Sequence, residues 1–73
     1  MSEIRAEMVA NVWKVVATPG AQVQDGDTLV ILESMKMEIP VLAEVGGVVT
    51  AIKVAPGDVV QEGDILVELT APR

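Results

Sequence analysis

The chain has 73 residues and a formal net charge of −6, and it contains neither cysteine nor histidine. Their absence excludes a disulfide and a thiolate zinc site, and it removes the general base that enzymes use most often, so we expect a non-catalytic protein without a metal site. The acidic balance argues against a nucleic-acid partner, because contacts to phosphates require a basic patch.

Hydrophobic residues make up 51% of the chain, although it has one tryptophan and no phenylalanine or tyrosine. The core must therefore be built from valine, isoleucine, leucine and alanine, and the β-branched residues among them favour strands over helices. No apolar run approaches the roughly 20 residues that span a bilayer. The N-terminus also lacks the layout of a signal peptide. We expect a soluble, cytoplasmic protein with no membrane partner.

The first half of the chain consists of short strands separated by turns. We predict strands at residues 4–6, 10–16, 22–23 and 28–33. The second and third strands are joined by Thr18-Pro19-Gly20-Ala21, which has proline and glycine where a type II turn requires them. The next turn is Asp25-Gly26-Asp27, whose glycine can adopt a positive φ.

The second half repeats the first at an offset of 37 residues. Over residues 6–32, 12 of 27 positions are identical to their counterparts, including the Pro56-Gly57 and Gly63-Asp64 turns. The corresponding strands are predicted at residues 37–42, 47–54, 59–60 and 65–69. A four-strand half cannot bury its own apolar face, so the halves should interlock about an approximate two-fold axis. We predict a single all-β domain over residues 1–73, a flattened eight-stranded barrel or sandwich, with a loose tail at residues 71–73.

The second predicted strand breaks the alternation expected of a simple strand. Val12 and Val15 both align with apolar residues of the second half, although their odd spacing would place them on opposite faces. A β-bulge between them reconciles the two positions. Trp13 lies in the same strand and is either a core residue or a surface anchor for a partner.

The two halves are joined by a short stretch, Glu33-Ser34-Met35-Lys36-Met37-Glu38. It lies between two strand-like runs and therefore reads as a hairpin tip with Lys36 at or next to its apex. Met-Lys is an unusual choice there, because two-residue hairpin turns require positive φ and favour Asn-Gly or Asp-Gly. The methionines either fold back onto the end of the barrel or serve a function. The two-fold axis places this tip at the end farthest from the termini.

Glu33-Ser34-Met35-Lys36-Met37, lying between two pseudo-symmetric β halves, resembles the biotinyl domain of biotin-dependent carboxylases. The resemblance extends over nearly the whole chain, and serine stands where that family usually has alanine. It implies a flattened eight-stranded barrel in which Lys36 carries biotin through an amide bond. Met35, Met37, Glu33, Ser34 and Glu38 form the recognition context.

The resemblance also implies partners and a mechanism. A biotin protein ligase would attach biotin to Lys36, and the extended side chain would act as a swinging arm. The arm would carry a carboxyl group from a biotin carboxylase to a carboxyltransferase, and the domain itself would do no catalysis. The Pro-Met-Pro-Gly run of that family is replaced here by Glu7-Met8-Val9-Ala10. The segment between Val16 and Gln22 is too short for the protruding loop of some carriers.

Two alternatives remain open at this point. A lipoyl carrier would have a similar fold and also modify a hairpin lysine, but lipoyl domains usually place aspartate before the lysine and a small residue after it, where this chain has Met35 and Met37. The other alternative is an unmodified β module that binds proteins through an edge strand. Lys14 and Lys53 lie in predicted strands and are weaker candidates for modification.

Overall fold

The computed structural model describes residues 2–71 and contains eight β-strands. In chain order these are β1 (Ser2–Arg5), β2 (Ala10–Val15), β3 (Gln22–Val23), β4 (Thr28–Ser34), β5 (Met37–Leu42), β6 (Gly47–Ile52), β7 (Val59–Val60) and β8 (Ile65–Thr70). All eight predicted strands are confirmed, and their ends differ from the prediction by at most two residues. Of the expected C-terminal tail, residues 72 and 73 lie outside the described residues. The described part of the chain has no helix that could cross a membrane.

The strands form two four-stranded antiparallel sheets. One sheet, with the order β1-β8-β6-β3, contains the strands nearest the termini, and we call it the terminal sheet. The other, with the order β5-β4-β2-β7, contains the central hairpin, and we call it the tip sheet. Each sheet takes strands from both halves, and a shift of 37 residues converts one order into the other. The predicted all-β sandwich of two interlocked, pseudo-symmetric halves is therefore confirmed.

The repeated Gly-Asp turns have the same hydrogen bonds in both halves. The Asp27 carboxylate accepts a bond from the backbone N–H of Gln24 at 2.9 Å, and Asp64 accepts one from Gln61 at 2.8 Å. The glycine within the first turn, Gly26, has a φ of 95°, a conformation that side chains disfavour. Each aspartate therefore closes a turn that only the preceding glycine allows without strain.

The predicted β-bulge is confirmed in β2. The register with β4 shifts between Val12 and Lys14, so Trp13 is the extra residue. The terminal sheet has the same irregularity at Thr50, which is the counterpart of Trp13 at the 37-residue offset. The bulge leaves Val12 buried and Trp13 48% exposed. A core position for Trp13 is therefore wrong, because the bulge directs this side chain to the outer face of the tip sheet.

The core lies between the two sheets and consists only of aliphatic side chains. Within residues 2–71 no polar or charged residue is buried. The largest fully buried side chains are Leu29, Val30, Leu32, Val49, Val60, Leu66, Val67 and Leu69. Most of them are pairs related by the 37-residue offset, so the two halves contribute equivalent residues to one shared core.

The hairpin tip lies at the end of the molecule opposite the chain termini. The turn before β4 follows Val23, which pairs with Gly47 beside Thr70 near the C-terminus. Within that turn, the N–H of Gly26 donates to the carbonyl oxygen of Ala43 at 2.8 Å. From there β4 runs seven residues towards the tip, which is about 20 Å at the usual rise of a strand. The molecule is 38 Å long, so β4 covers about half of it.

Gly47 is the glycine at which a side chain does the most damage. A β-carbon at Gly47 would overlap the carbonyl oxygen of Thr70, so Gly47→Ala must push β6 away from β8. We expect this variant to lose about 1–3 kcal/mol of unfolding free energy. A β-carbon on the neighbouring Gly46 meets its nearest atom at 3.5 Å, so Gly46→Ala is the matched control. Urea unfolding of both variants tests this, and equal losses would contradict the proposed overlap.

Candidate functional site

The tip between β4 and β5 is a two-residue hairpin turn. Ser34 pairs with Met37 across the hairpin, which leaves Met35 and Lys36 as the two central residues. Both have positive φ, 52° at Met35 and 66° at Lys36. Positive φ at both positions is the signature of a type I′ turn. The predicted tip with Lys36 at its apex is confirmed, and so is the unusual conformation.

The side chains at the apex extend into solvent. Met35 is 92% exposed and Met37 is 65% exposed, and Lys36 is exposed between them. The methionines therefore do not fold back to close the end of the barrel. Within residues 2–71 the salt bridges join Arg5 to Glu3 and Lys53 to Glu68, so Lys36 takes part in neither. Its side chain is therefore exposed to solvent without an ion-pair partner among the described residues.

Glu33 and Glu38 lie directly opposite each other, one pair back from the turn. Both are exposed, and like charges in opposite positions of a ladder are destabilising. Ser34, between Glu33 and the turn, is half-buried. Lys36 and the five residues of the predicted recognition context thus form one continuous hairpin end, with two carboxylates flanking a single amine.

The other two lysines have different surroundings. Lys14 lies within β2, opposite Ile31 of β4, and its side chain is exposed on the face of the sheet. Lys53 follows β6, and its amine lies 3.8 Å from a carboxylate oxygen of Glu68. Neither lysine is at a turn, so only Lys36 projects from an end of the molecule. No group of three or more potential metal ligands occurs in the described part of the chain.

Comparison with known proteins identifies the family. Residues 1–69 match the biotin/lipoyl family described as "Biotin-requiring enzyme". The chain belongs to the biotinyl/lipoyl attachment domain family. The biotinylated protein TB7.3 homolog of Mycobacterium leprae is 57% identical over 53 residues, which cover 73% of this chain and 75% of that protein.

Solved structures of two kinds resemble this attachment domain. In a single-chain, multi-domain long-chain acyl-CoA carboxylase, the matching region has a TM-score of 0.90 and 35% identity, and it covers 99% of this chain. The match spans only 7% of that carboxylase chain. The lipoyl domain of the 2-oxoglutarate dehydrogenase complex from Azotobacter vinelandii has a TM-score of 0.75 and 32% identity, and the match covers 89% of this chain and 82% of that domain.

The strained turn of this attachment domain should limit its stability. Met35 and Lys36 each occupy a conformation that costs non-glycine residues about 1–3 kcal/mol, whereas Asn-Gly adopts a type I′ turn readily. We expect the double variant Met35→Asn/Lys36→Gly to gain about 1–3 kcal/mol of unfolding free energy, as measured by urea or thermal unfolding. Met37→Asn is the matched control, because Met37 is exposed but lacks positive φ. If the double variant were no more stable than this control, the inferred backbone strain at Met35 and Lys36 would be wrong.

Proposed function

We propose that this domain is a biotin carboxyl carrier in which Lys36 bears biotin through an amide bond. The observation that carries the proposal is the exposed, unpaired Lys36 at the apex of a type I′ turn, at the end of the barrel away from the termini. Membership of the biotinyl/lipoyl family and the likeness to a carboxylase region support a biotin carrier role.

Attachment requires Lys36 to act as a nucleophile. Its ammonium group must first lose a proton to a base of the biotin protein ligase or to water. The nitrogen then attacks the acyl carbon of biotinyl-adenylate, an N–C bond forms, and the C–O bond to the phosphate breaks. AMP leaves, and the nitrogen loses a second proton to become a neutral amide.

The attached arm suits a carrier that visits more than one active site. When bound, biotin accepts a carboxyl group and releases it to an acceptor. The rigid barrel holds the base of the arm, while the extended Lys36 side chain keeps the far end at high local concentration near each active site. The partners that this implies are a biotin carboxylase and a carboxyltransferase besides the ligase. We further propose that residues 1–73 act as one such domain in the cytoplasm.

A lipoyl carrier is the second candidate, because the chain also resembles a lipoyl domain at 32% identity. The residues at the tip favour biotin. Met35 and Met37 flank the lysine here, where lipoyl domains usually have aspartate before it and a small residue after it. Both methionines are exposed, so an enzyme approaching Lys36 meets them first.

The proposal is tested by enzymatic labelling of the purified chain. One sample receives biotin, ATP and a biotin protein ligase, and a second receives lipoate, ATP and a lipoate ligase. We expect intact mass to show one biotinyl group in the first sample, and peptide mapping to place it on Lys36 rather than Lys14 or Lys53. Lipoylation without biotinylation would indicate that the domain is a lipoyl carrier instead. No modification in either sample would favour the unmodified β module.

A further inference from the structure

The outer faces of the two sheets differ in a way that the fold does not require. Because the halves are related by 37 residues, each outward position of the tip sheet has a counterpart on the terminal sheet. At six such positions the tip sheet is apolar and the terminal sheet is polar. The pairs are Trp13 and Thr50, Val16 and Lys53, Ile31 and Glu68, Pro40 and Glu3, Leu42 and Arg5, and Val59 and Gln22.

The polar face of the terminal sheet is internally paired. Arg5 contacts Glu3 at 2.6 Å, and Lys53 lies 3.8 Å from Glu68. The hydroxyl of Thr50 donates to the carbonyl oxygen of Glu68 at 3.1 Å. These polar groups form ion pairs and hydrogen bonds within the terminal sheet, so this face has the character of a solvated surface.

The apolar side chains on the outer face of the tip sheet are exposed. Val59 is 66% exposed, Trp13 48%, Val16 45% and Leu42 44%, and Ile31 lies opposite the exposed Pro40. These residues come from all four strands of the sheet or from its immediate continuation, and we call them, with Ile31 and Pro40, the tip-sheet face. The polar Asn11 and Lys14 also lie on it, and their counterparts are Val48 and Ala51. Exposed apolar patches that contain tryptophan are typical of protein interfaces.

The tip-sheet face is continuous with the modified end of the hairpin. Glu33 and Glu38 form the outward pair next to the turn, and Asn11 and then Val59 extend the same row across the sheet. An enzyme that holds an acyl-adenylate must present basic groups to its phosphate. The two carboxylates beside Lys36 complement such a site, whereas a second copy of this chain would bring carboxylates of a −6 protein together.

We infer that the tip-sheet face is the docking surface for the biotin protein ligase, with Trp13 as its central anchor. This inference rests on the proposed function of Lys36. The ligase would cover the face from Trp13 to Val59 while its adenylate-binding site reaches the hairpin apex. Such contacts are made equally before and during amide formation, so they contribute to binding of the carrier and leave the chemical step unchanged.

Because the two halves are pseudo-symmetric, a residue of one sheet can be replaced by the residue that the fold already holds at the equivalent position of the other sheet. Trp13→Thr and Val59→Gln each install the residue found at the equivalent position of the terminal sheet. Val45→Gln is the matched control for Val59→Gln, because Val45 is 47% exposed but lies in the β5–β6 loop at the opposite end. Thermal unfolding of each variant shows whether it is folded, and Val59→Gln carries the test should Trp13→Thr not fold.

The measurement is the rate of biotin incorporation by purified biotin protein ligase at increasing carrier concentrations. We expect Trp13→Thr to raise KM about tenfold or more and Val59→Gln to raise it about threefold, with kcat unchanged and Val45→Gln like the parent. In parallel, Trp13→Thr in a Lys36→Arg chain, which cannot be modified, should weaken direct binding to the ligase by the same factor.

The outcomes separate this inference from the function on which it rests. Unchanged KM in both face variants and an unchanged Kd for Trp13→Thr, with Lys36 still biotinylated, would overturn the docking surface and leave the carrier function intact. A parent chain that accepts no biotin would overturn both. Sedimentation of the parent and of Trp13→Thr tests self-association, since a dimer that depends on Trp13 would overturn the inference and assign the face to a second copy of the chain.

Discussion

Replacing Lys36 by arginine should abolish biotin incorporation completely, although Lys14 and Lys53 remain in the chain. Arginine keeps the positive charge and a long side chain, but its guanidinium stays protonated and cannot attack an acyl carbon. The remaining lysines lie on the face of a sheet or beside a carboxylate, and no turn presents them to a ligase. The loss should therefore reach the detection limit of intact-mass analysis.

The matched controls for Lys36→Arg are the same substitution at the other two positions. Lys14→Arg and Lys53→Arg should incorporate one biotinyl group at the parent rate, because neither side chain is at the hairpin end. All three variants should unfold at nearly the same temperature, since each replaced side chain is exposed. Biotin on the Lys36→Arg chain at a level near the parent's would refute Lys36 as the attachment site.

Truncating a central core leucine should remove much of the stability of the domain. Leu29 and Leu66 are both 0% exposed and are related by the pseudo-two-fold axis. Replacing a buried leucine by alanine costs about 2–5 kcal/mol, because apolar contacts are lost and a cavity remains. The total unfolding free energy of a domain of this length is about 4–11 kcal/mol. We expect Leu29→Ala and Leu66→Ala to lower the unfolding temperature on the order of 10–30 °C each.

The control is the same substitution outside the core. Leu42 lies in β5 and is 44% exposed, so Leu42→Ala should change the unfolding free energy by only about 0.5 kcal/mol. Thermal and urea unfolding of the three variants give the comparison directly. If Leu29→Ala and Leu66→Ala differed strongly from each other, the two halves would not contribute equally to the core, contrary to their equivalent burial.

The predictions that succeeded rest on local chemistry and on the repeat. Glycine before aspartate marks a turn because few other residues tolerate positive φ, and Gly26 adopts it as expected. The tip was predictable because Met35 and Lys36 interrupt two strand-like runs. The bulge in β2 was predictable because Val12 and Val15 could not otherwise share a face. Neighbouring residues carry the turn signals, and the 37-residue repeat carries the signal for the bulge.

Strand neighbours and side-chain environments were less accessible. The ends of β1 and β6 differ from the prediction by two residues, because pairing with β8 decides where each ladder stops. Gly46 and Gly47 are neighbouring residues of the same type, so the sequence does not distinguish them. Only Gly47 lies against the backbone of Thr70. Such differences depend on residues 15 or more positions away in the chain.

The amino-acid sequence by itself determined that this is an all-β protein of two equivalent halves with Lys36 at their junction. Turn residues indicate these features because they act over short distances in the chain. The 37-residue repeat indicates them because the two halves are similar in sequence. Only the tertiary structure decided that Trp13 faces outward and shares a surface with Val59, which is 46 residues away. The sequence placed a bulge between Val12 and Val15 without showing that Trp13 is the extra residue, because that choice depends on the pairing with β4. Sheet order joins residues from different halves, so the shared surface could not be read along the chain either.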